Sequence, residues 1–237
     1  MINLIKSFAD LLYPPLCLHC NEPLNKNNTH YCDHCLTLMV PIEIQERCPF
    51  CFTADFNHEN DRCCSVCKEQ PPTTERMGAV FDYEGPAATL IKFLKYGGQP
   101  YLAKGAGAYL TARFLELEWP MPDYIVPMPM APLRRFERGY NQSALLAEVV
   151  ADMLGRPVYD LLKRRGGDFS QAGLNHRQRL QLKREAFSVK EGVRIHDKTL
   201  LIIDDVMTTG SSMRCCAEIL QELYPGPIYA LTVCRAM

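Results

Sequence analysis

The 237-residue chain contains no run of about 18 consecutive apolar residues, so no conventional membrane-spanning helix is expected. It contains no low-complexity tract and no internal repeat beyond paired cysteines. Its first twelve residues, Met1 to Leu12, have neither a long apolar stretch nor a small-residue cleavage site, so they do not read as a signal peptide. They suit a short amphipathic helix, with Leu4, Ile5, Phe8, Leu11 and Leu12 on one side, for core packing or partner docking. Net charge is also scarce, at −1, which leaves local asymmetry as the informative quantity. Between Ala131 and Leu200 there are 14 Lys/Arg against 8 Asp/Glu, and the remainder is acidic, so an anionic ligand on one face is expected.

What is abundant is cysteine, and nine of the twelve lie between Cys17 and Cys67. With no export signal, the expected location is cytoplasmic and reducing, which disfavours disulfides. Four C-x-x-C pairs stand out: Cys17/Cys20, Cys32/Cys35, Cys48/Cys51 and Cys64/Cys67, with Cys63 spare. A two-residue gap lets one tight knuckle present two thiolates to one ion, and two knuckles complete a tetrahedral Cys₄ zinc site. The expectation is two structural Zn²⁺ ions. Sequential pairing is simplest; an interleaved pairing satisfies the same spacing, as does a module that keeps one metal. His19, His30, His34 and His58 are read as surface residues, because every pair is already complete. Core burial alone is too small to fold such a module, so metal binding supplies its folding energy.

Gln70 to Thr74 reads as a linker, and the text then changes to alternating strand and helix patterns. Strands are expected at Ala79–Tyr83, Tyr124–Met128, Val158–Leu162, Thr199–Ile203 and Ile228–Val233. Helices are expected at Ala87–Tyr96, Tyr101–Leu117, Ser143–Leu154 and Met213–Tyr224. Lys163–Lys183 reads as a long basic loop or short helix. The alternation predicts an α/β fold, a parallel sheet with helices on both faces. The expected division is residues 1–72 for the N-terminal helix and zinc ribbons, and 73–237 for the α/β domain.

Residues 200–212 carry the chemistry: four apolar β-formers, the acids Asp204 and Asp205, then Val206-Met207-Thr208-Thr209-Gly210-Ser211-Ser212, then a helical pattern. Loop amides and a helix N-terminus hold a phosphate. The acids repel phosphate, so they face hydroxyl groups or a metal. A ribose 5-phosphate meets both demands.

This stretch resembles the diphosphoribosyl-pyrophosphate (PRPP) motif of type I phosphoribosyltransferases. The resemblance implies that Asp204 and Asp205 contact the ribose hydroxyls as the catalytic acids, and that Met207, Thr208, Thr209, Gly210, Ser211 and Ser212 wrap the 5-phosphate. It also implies Mg²⁺ arriving with PRPP. A second anion site is required for pyrophosphate. The loop after Tyr124–Met128 offers Arg134, Arg135 and Arg138, whose planar forks suit phosphate oxygens. Arg164, Arg165, Arg177 and Arg179, in the basic segment, suit a lid over pyrophosphate or a single-stranded nucleic acid contact.

The whole chain resembles the competence protein F family, which includes the GntX-type proteins. The resemblance rests on the double zinc ribbon, Lys95-Tyr96-Gly97-Gly98, Arg138-Gly139-Tyr140-Asn141-Gln142-Ser143 followed by Leu145-Leu146-Ala147, Gln171-Ala172-Gly173-Leu174 with Arg177, Arg179 and Ala186-Phe187, and the PRPP motif. It implies a role in DNA uptake during natural transformation or in the use of external DNA, with a helicase-like partner and incoming single strands. Transferases acting on 6-oxopurines place an Asp where this chain has Thr208, which disfavours that chemistry. The other readings are a phosphoribosyltransferase of nucleotide metabolism and a non-catalytic module for single-stranded DNA or a protein partner.

Overall fold

The computed structural model describes residues 15–25, 29–56, 62–165 and 185–236. The expected N-terminal helix, His58, the Gln171–Leu174 segment, Arg177 and Arg179 lie outside the described residues. Two short helices, α1 (Asp33–Thr37) and α2 (Ser65–Glu69), belong to the cysteine-rich part. Then follow β1 (Arg76–Asp82), α3 (Gly85–Tyr96), α4 (Leu102–Glu116), β2 (Tyr124–Pro127), α5 (Pro132–Arg138) and α6 (Gln142–Leu154). The chain continues through β3 (Leu162–Arg164), β4 (Phe187–Val189), β5 (Leu200–Met207), α7 (Ser211–Gln221) and β6 (Ile228–Arg235).

Four strands form a parallel sheet in the order β1-β6-β5-β2. A strand at the centre of such a sheet is covered on both faces, so it reads as an unbroken apolar run rather than an alternation. That is why Leu200-Leu201-Ile202-Ile203 are all fully buried, and why every residue of β6 is buried. Period-2 geometry then sends neighbours to opposite cores. Leu201 and Ile203 join one cluster with the buried stripes of α3, α4 and α6. Leu200 and Ile202 join the other, with α7 and the β3/β4 pair. The first core is tight enough to require Gly107 on α4: a Cβ there would lie 2.5 Å from Val149 Cγ1 on α6.

The expected α/β fold is what the chain adopts. Two local expectations change. Val158–Leu162 is not a strand: Val158 makes one isolated parallel bridge to Ile125, and the backbone then turns into β3, which pairs antiparallel with β4. The start of the basic segment is therefore a small antiparallel ribbon, its Leu162 and Phe187 packed in the second core. The motif strand also runs on past Ile203, so that Asp204 and Asp205 still lie within β5.

The cysteine-rich part packs on this frame rather than standing apart. Cys17, Tyr31, Cys35 and Met39 enter the first core, and Ile42 and Phe52 the second. Tyr31 donates its hydroxyl to the Pro86 carbonyl, 3.1 Å away.

Candidate ribose-phosphate site and metal centres

Ligand crevices in open parallel sheets lie at the carboxyl ends of the strands. Here β5 delivers its two acids to that edge, and they point to different elements. Asp205 is buried and its Oδ1 lies 2.8 Å from Lys95 Nζ, at the C-terminal end of α3. Burial opposes the Lys95 charge, but Asp205 outweighs it and raises the ammonium's pKa above its ordinary value. Asp204 keeps a window onto solvent. Its Oδ1 accepts from Ser143 Oγ at 2.7 Å and from the Asp205 backbone N–H at 2.9 Å. Burial, followed by the nearby Asp205 charge, pushes the Asp204 carboxyl up to about 7, while Ser143, the Asp205 amide and Lys95 pull the other way.

Ser143 is positioned by a helix cap. Asn141 caps α6 by accepting the Ser143 N–H at 3.1 Å, and its Nδ2 donates to the Met128 carbonyl just after β2 at 3.0 Å. Tyr140 fixes the neighbouring wall by donating its hydroxyl to the Leu94 carbonyl of α3 at 2.7 Å.

The segment expected as a loop carrying three arginines is the helix α5. It opens with Pro132 and stops at Gly139, whose φ of 82° is left-handed. Winding this segment separates the three arginines. Arg134 and Arg138 line the cavity, whereas Arg135 is exposed and does not. Arg138 also hydrogen-bonds Gln142 and lies 5.2 Å from the centre of the Tyr96 ring. Arg164 reaches the cavity from the end of β3, over the Phe187 ring, while Arg165 is exposed and outside the lining.

The loop after β5 closes the ring. Thr208 and Thr209 are exposed, and Gly210 takes φ 72° as the N-cap of α7. A Cβ on Gly210 would stand 3.2 Å from Met77 Sδ, so both backbone sign and space favour glycine. Thr209 Oγ1 and Ser211 Oγ are 2.6 Å apart. Arg235, at the end of β6 and paired in register with Met207, donates to the Thr208 carbonyl. The first N–H groups of α7 have no intrahelical partner; that of Ser211 points to Thr209 Oγ1, and Ser212 is the residue of this turn that borders the cavity. Among the described residues, the cavity holds ≈ 170 Å³ and is bordered by Asp204, Asp205, Ser212, Ser143, Lys95, Arg134, Arg138 and Arg164. A wider recess of ≈ 490 Å³ adjoins it, bordered by Lys95, Tyr96, Gly98, Arg134, Glu137 and Arg138. Two carboxylates to accept hydroxyl protons thus sit among cations able to hold phosphate oxygens.

Sequence reasoning missed Lys95, Ser143 and Arg235 as site residues. Lys95 and Ser143 stand inside quoted motifs, but no local pattern says what they touch. Arg235 carried one usable signal: the ends of adjacent parallel strands lie side by side.

The cysteines form two tetrads, Cys17/Cys20/Cys32/Cys35 and Cys48/Cys51/Cys64/Cys67, with the sulfurs of each within 4.8 Å of one another. This is the sequential grouping; Cys63 belongs to neither. Tetrahedral Zn–S bonds of about 2.3 Å separate sulfurs by about 3.8 Å. The Cys20–Cys32 and Cys51–Cys64 distances are 3.6 and 3.5 Å. Hydrogen bonding from Cys51, with backbone N–H groups including that of Cys64, holds the Cys48 thiol down at about 4 despite burial. Donor set and spacing fit structural zinc, which would tie the knuckles together and leave no open coordination position.

No family model matches the chain. Curated relatives do, along nearly its whole length. DNA utilization protein YhgH of Salmonella typhi is 28% identical over 235 residues, covering 96% of this chain and 100% of the relative. Competence protein F of Haemophilus influenzae is 26% identical over 226 residues, covering 93% and 96%. The chain is thus similar, along most of its length, to proteins named competence protein F and DNA utilization protein YhgH. Competence protein ComFC of Streptococcus pneumoniae is 28% identical over 84% of each chain. Among solved structures, the allosteric regulatory enzyme of purine biosynthesis aligns with a TM-score of 0.39 and 16% identity over 60% of this chain, which spans 29% of that enzyme's length. Adenine phosphoribosyltransferase from Saccharomyces cerevisiae aligns with a TM-score of 0.34 and 16% identity, covering 61% of this chain and 72% of that one. At such scores the likeness says nothing about substrate.

Proposed function

We propose that this protein binds PRPP, or a closely related ribose 5-phosphate, and serves DNA uptake or the use of external DNA. The ligand reading is carried by one observation: Asp204 and Asp205 lie in the last half of the buried strand β5, shortly before the Thr208–Ser212 turn, with Lys95, Arg134 and Arg138 lining the same cavity. The ribose hydroxyls would donate to the Asp204 carboxylate. The 5-phosphate would take the loop amides and the Thr209, Ser211 and Ser212 hydroxyls. Pyrophosphate would lie against Arg134, Arg138 and Lys95. Groups of three or more candidate metal ligands among the described residues are the two cysteine tetrads, so Mg²⁺ would enter on the pyrophosphate rather than in a protein-built cage.

The biological role rests on the names of the relatives, which match 93–96% of this chain at 26–28% identity. It brings with it a site of action on the cytoplasmic side and a helicase-like partner. Transfer to an acceptor is the second reading of the same pocket. Against 6-oxopurine chemistry stands Thr208, exposed where that resemblance calls for an acid. A contact with single-stranded DNA is favoured by the recess mouth, where Tyr96 (79% exposed) stands beside Arg134 and Arg138.

Calorimetry with Mg²⁺–PRPP tests the site, on the zinc-loaded protein and on an Asp204→Asn/Asp205→Asn variant shown by circular dichroism to be folded. Micromolar binding that disappears in the variant is the expected result. No heat with the unaltered protein would remove the ligand reading. Uptake of labelled DNA by a deletion strain tests the role, and unchanged uptake would remove it.

A further inference from the structure

The second cysteine tetrad lies directly behind the phosphate loop, and three links join them. Arg214, in the first turn of α7, points its Nη2 at Cys67 Sγ, 3.8 Å away, and its Nε is buried without a partner. Arg235 is buried, donates to the Thr208 carbonyl and lies within electrostatic reach of Cys51 and Cys64. The knuckle Cys48–Cys51 is bonded to β1 through Met77 N–H to the Phe50 carbonyl at 2.8 Å. The Met77 thioether in turn stands against Gly210.

These links have an electrostatic reason. A Zn²⁺ held by four thiolates carries about two net negative charges. Arg214, with Nη2 3.8 Å from Cys67 Sγ, and Arg235, on whose charge Cys51 and Cys64 act, are the two cations placed to answer it. Each arginine ends in the phosphate loop or in the helix turn that continues it. A metal in this tetrad would fix Cys67 Sγ, and with it the end of the Arg214 side chain. Among the described residues, no hydrogen bond is seen from the first tetrad's knuckles to the phosphate loop; His19 Nδ1, within its first knuckle, instead meets Thr89 Oγ1 of α3 at 2.8 Å.

We propose that the metal in the Cys48/Cys51/Cys64/Cys67 tetrad positions the phosphate loop through Arg214 and Arg235, so that metal and ribose phosphate bind with mutual reinforcement. Arg214 and Arg235 are positioning residues here, not ligands of the phosphate. This inference rests on the proposed ribose-phosphate reading. Linkage makes the effect reciprocal: whatever factor the metal adds to ligand affinity, the ligand adds to metal affinity.

The test uses the full chain loaded with cadmium in both tetrads, so that each gives its own cadmium NMR resonance. A Cys20→Ser variant assigns them. Addition of Mg²⁺–PRPP should shift the second tetrad's resonance and leave the first unmoved. Chelator-driven metal release from the second tetrad should slow by about fivefold or more, the usual lower range for coupled sites. In Arg214→Met, which keeps all eight thiolates, calorimetric affinity should fall by a similar factor and the ligand-dependent slowing should vanish. Binding that moves neither resonance, or both equally, would overturn the coupling while leaving the ligand site intact. If calorimetry finds no ligand binding at all, the parent reading fails. The physical link is then judged by amide hydrogen exchange in residues 207–212, and unchanged exchange in folded Arg214→Met overturns it too.

Discussion

Lys95 Nζ and Asp205 Oδ1 meet at 2.8 Å, joining the end of helix α3 to the end of strand β5 beneath the cavity floor. Asp205 Oδ2 has no hydrogen-bond partner of its own, so this ion pair is the carboxylate's main compensation for burial. Breaking a buried pair from one side leaves an uncompensated charge and costs about 3 kcal/mol or more. Lys95→Met is therefore expected to lower denaturant stability by about that amount, discounted because the lysine side chain is 20% exposed. Double substitution with Asp205→Asn should recover part of the loss. A Lys95→Met protein as stable as the parent would show that the pair contributes nothing.

The pH dependence follows from Asp204. Its carboxyl moves from an ordinary 3.8 to about 7 in the folded chain, chiefly through burial. Between those values the folded chain holds a proton that the unfolded chain has released. Stability from this group is thus present below about pH 4, falls as pH rises to about 7 and is level above that. Ligand affinity should run the opposite way, since ribose hydroxyls donate to the ionised form. Mg²⁺–PRPP binding is expected to strengthen from about pH 6 to about pH 8. Ser143→Ala removes a hydrogen bond that favours the ionised carboxylate, so it should move the midpoint upward. Asp204→Asn should keep only the titration of the ligand's own phosphates. Identical profiles for the parent and Asp204→Asn would rule out an ionised Asp204 as the ribose contact.

Metal content gives a third prediction. Two zinc ions per chain are expected by elemental analysis, one of them lost in Cys20→Ser. Cys63→Ser should retain both, because Cys63 stands outside both tetrads. Strong chelation should abolish cooperative folding of the cysteine-rich part. A single zinc in the unaltered protein would refute the two-site assignment.

The first core supplies a fourth. Gly107→Ala gains helix propensity of up to about 1 kcal/mol. It also drives a Cβ to 2.5 Å from Val149 Cγ1 and 2.6 Å from Val149 Cβ. Neither contact is the far end of a flexible side chain, so overpacking of about 1–3 kcal/mol should win. The variant should unfold at lower denaturant; Val149→Ala, which of these two contacts removes only that of Cγ1, should rescue it in part, and Val149→Gly, which removes both, should relieve the clash fully. An unchanged midpoint would mean that α4 and α6 separate freely.

The parallel α/β sheet, the two tetrads and the acid–loop order were legible in the chain because each rests on short-range physics. Leu200 to Ile203 form an unbroken apolar run, which a doubly covered strand requires. A two-residue gap makes a metal knuckle wherever it lies. Asp204, Asp205 and the Gly210 turn are contiguous, so their order survives folding unchanged. The rest depended on where separate elements meet. Only the tertiary structure brought Lys95 under Asp205, set Ser143 on Asp204 through the Asn141 cap, wound the arginine loop into α5 so that Arg135 turned away, and placed Arg214 and Arg235 between a tetrad and the phosphate loop. Those contacts come from crossover connections and strand register, which fix distances between residues far apart in the chain and leave no trace in local spacing.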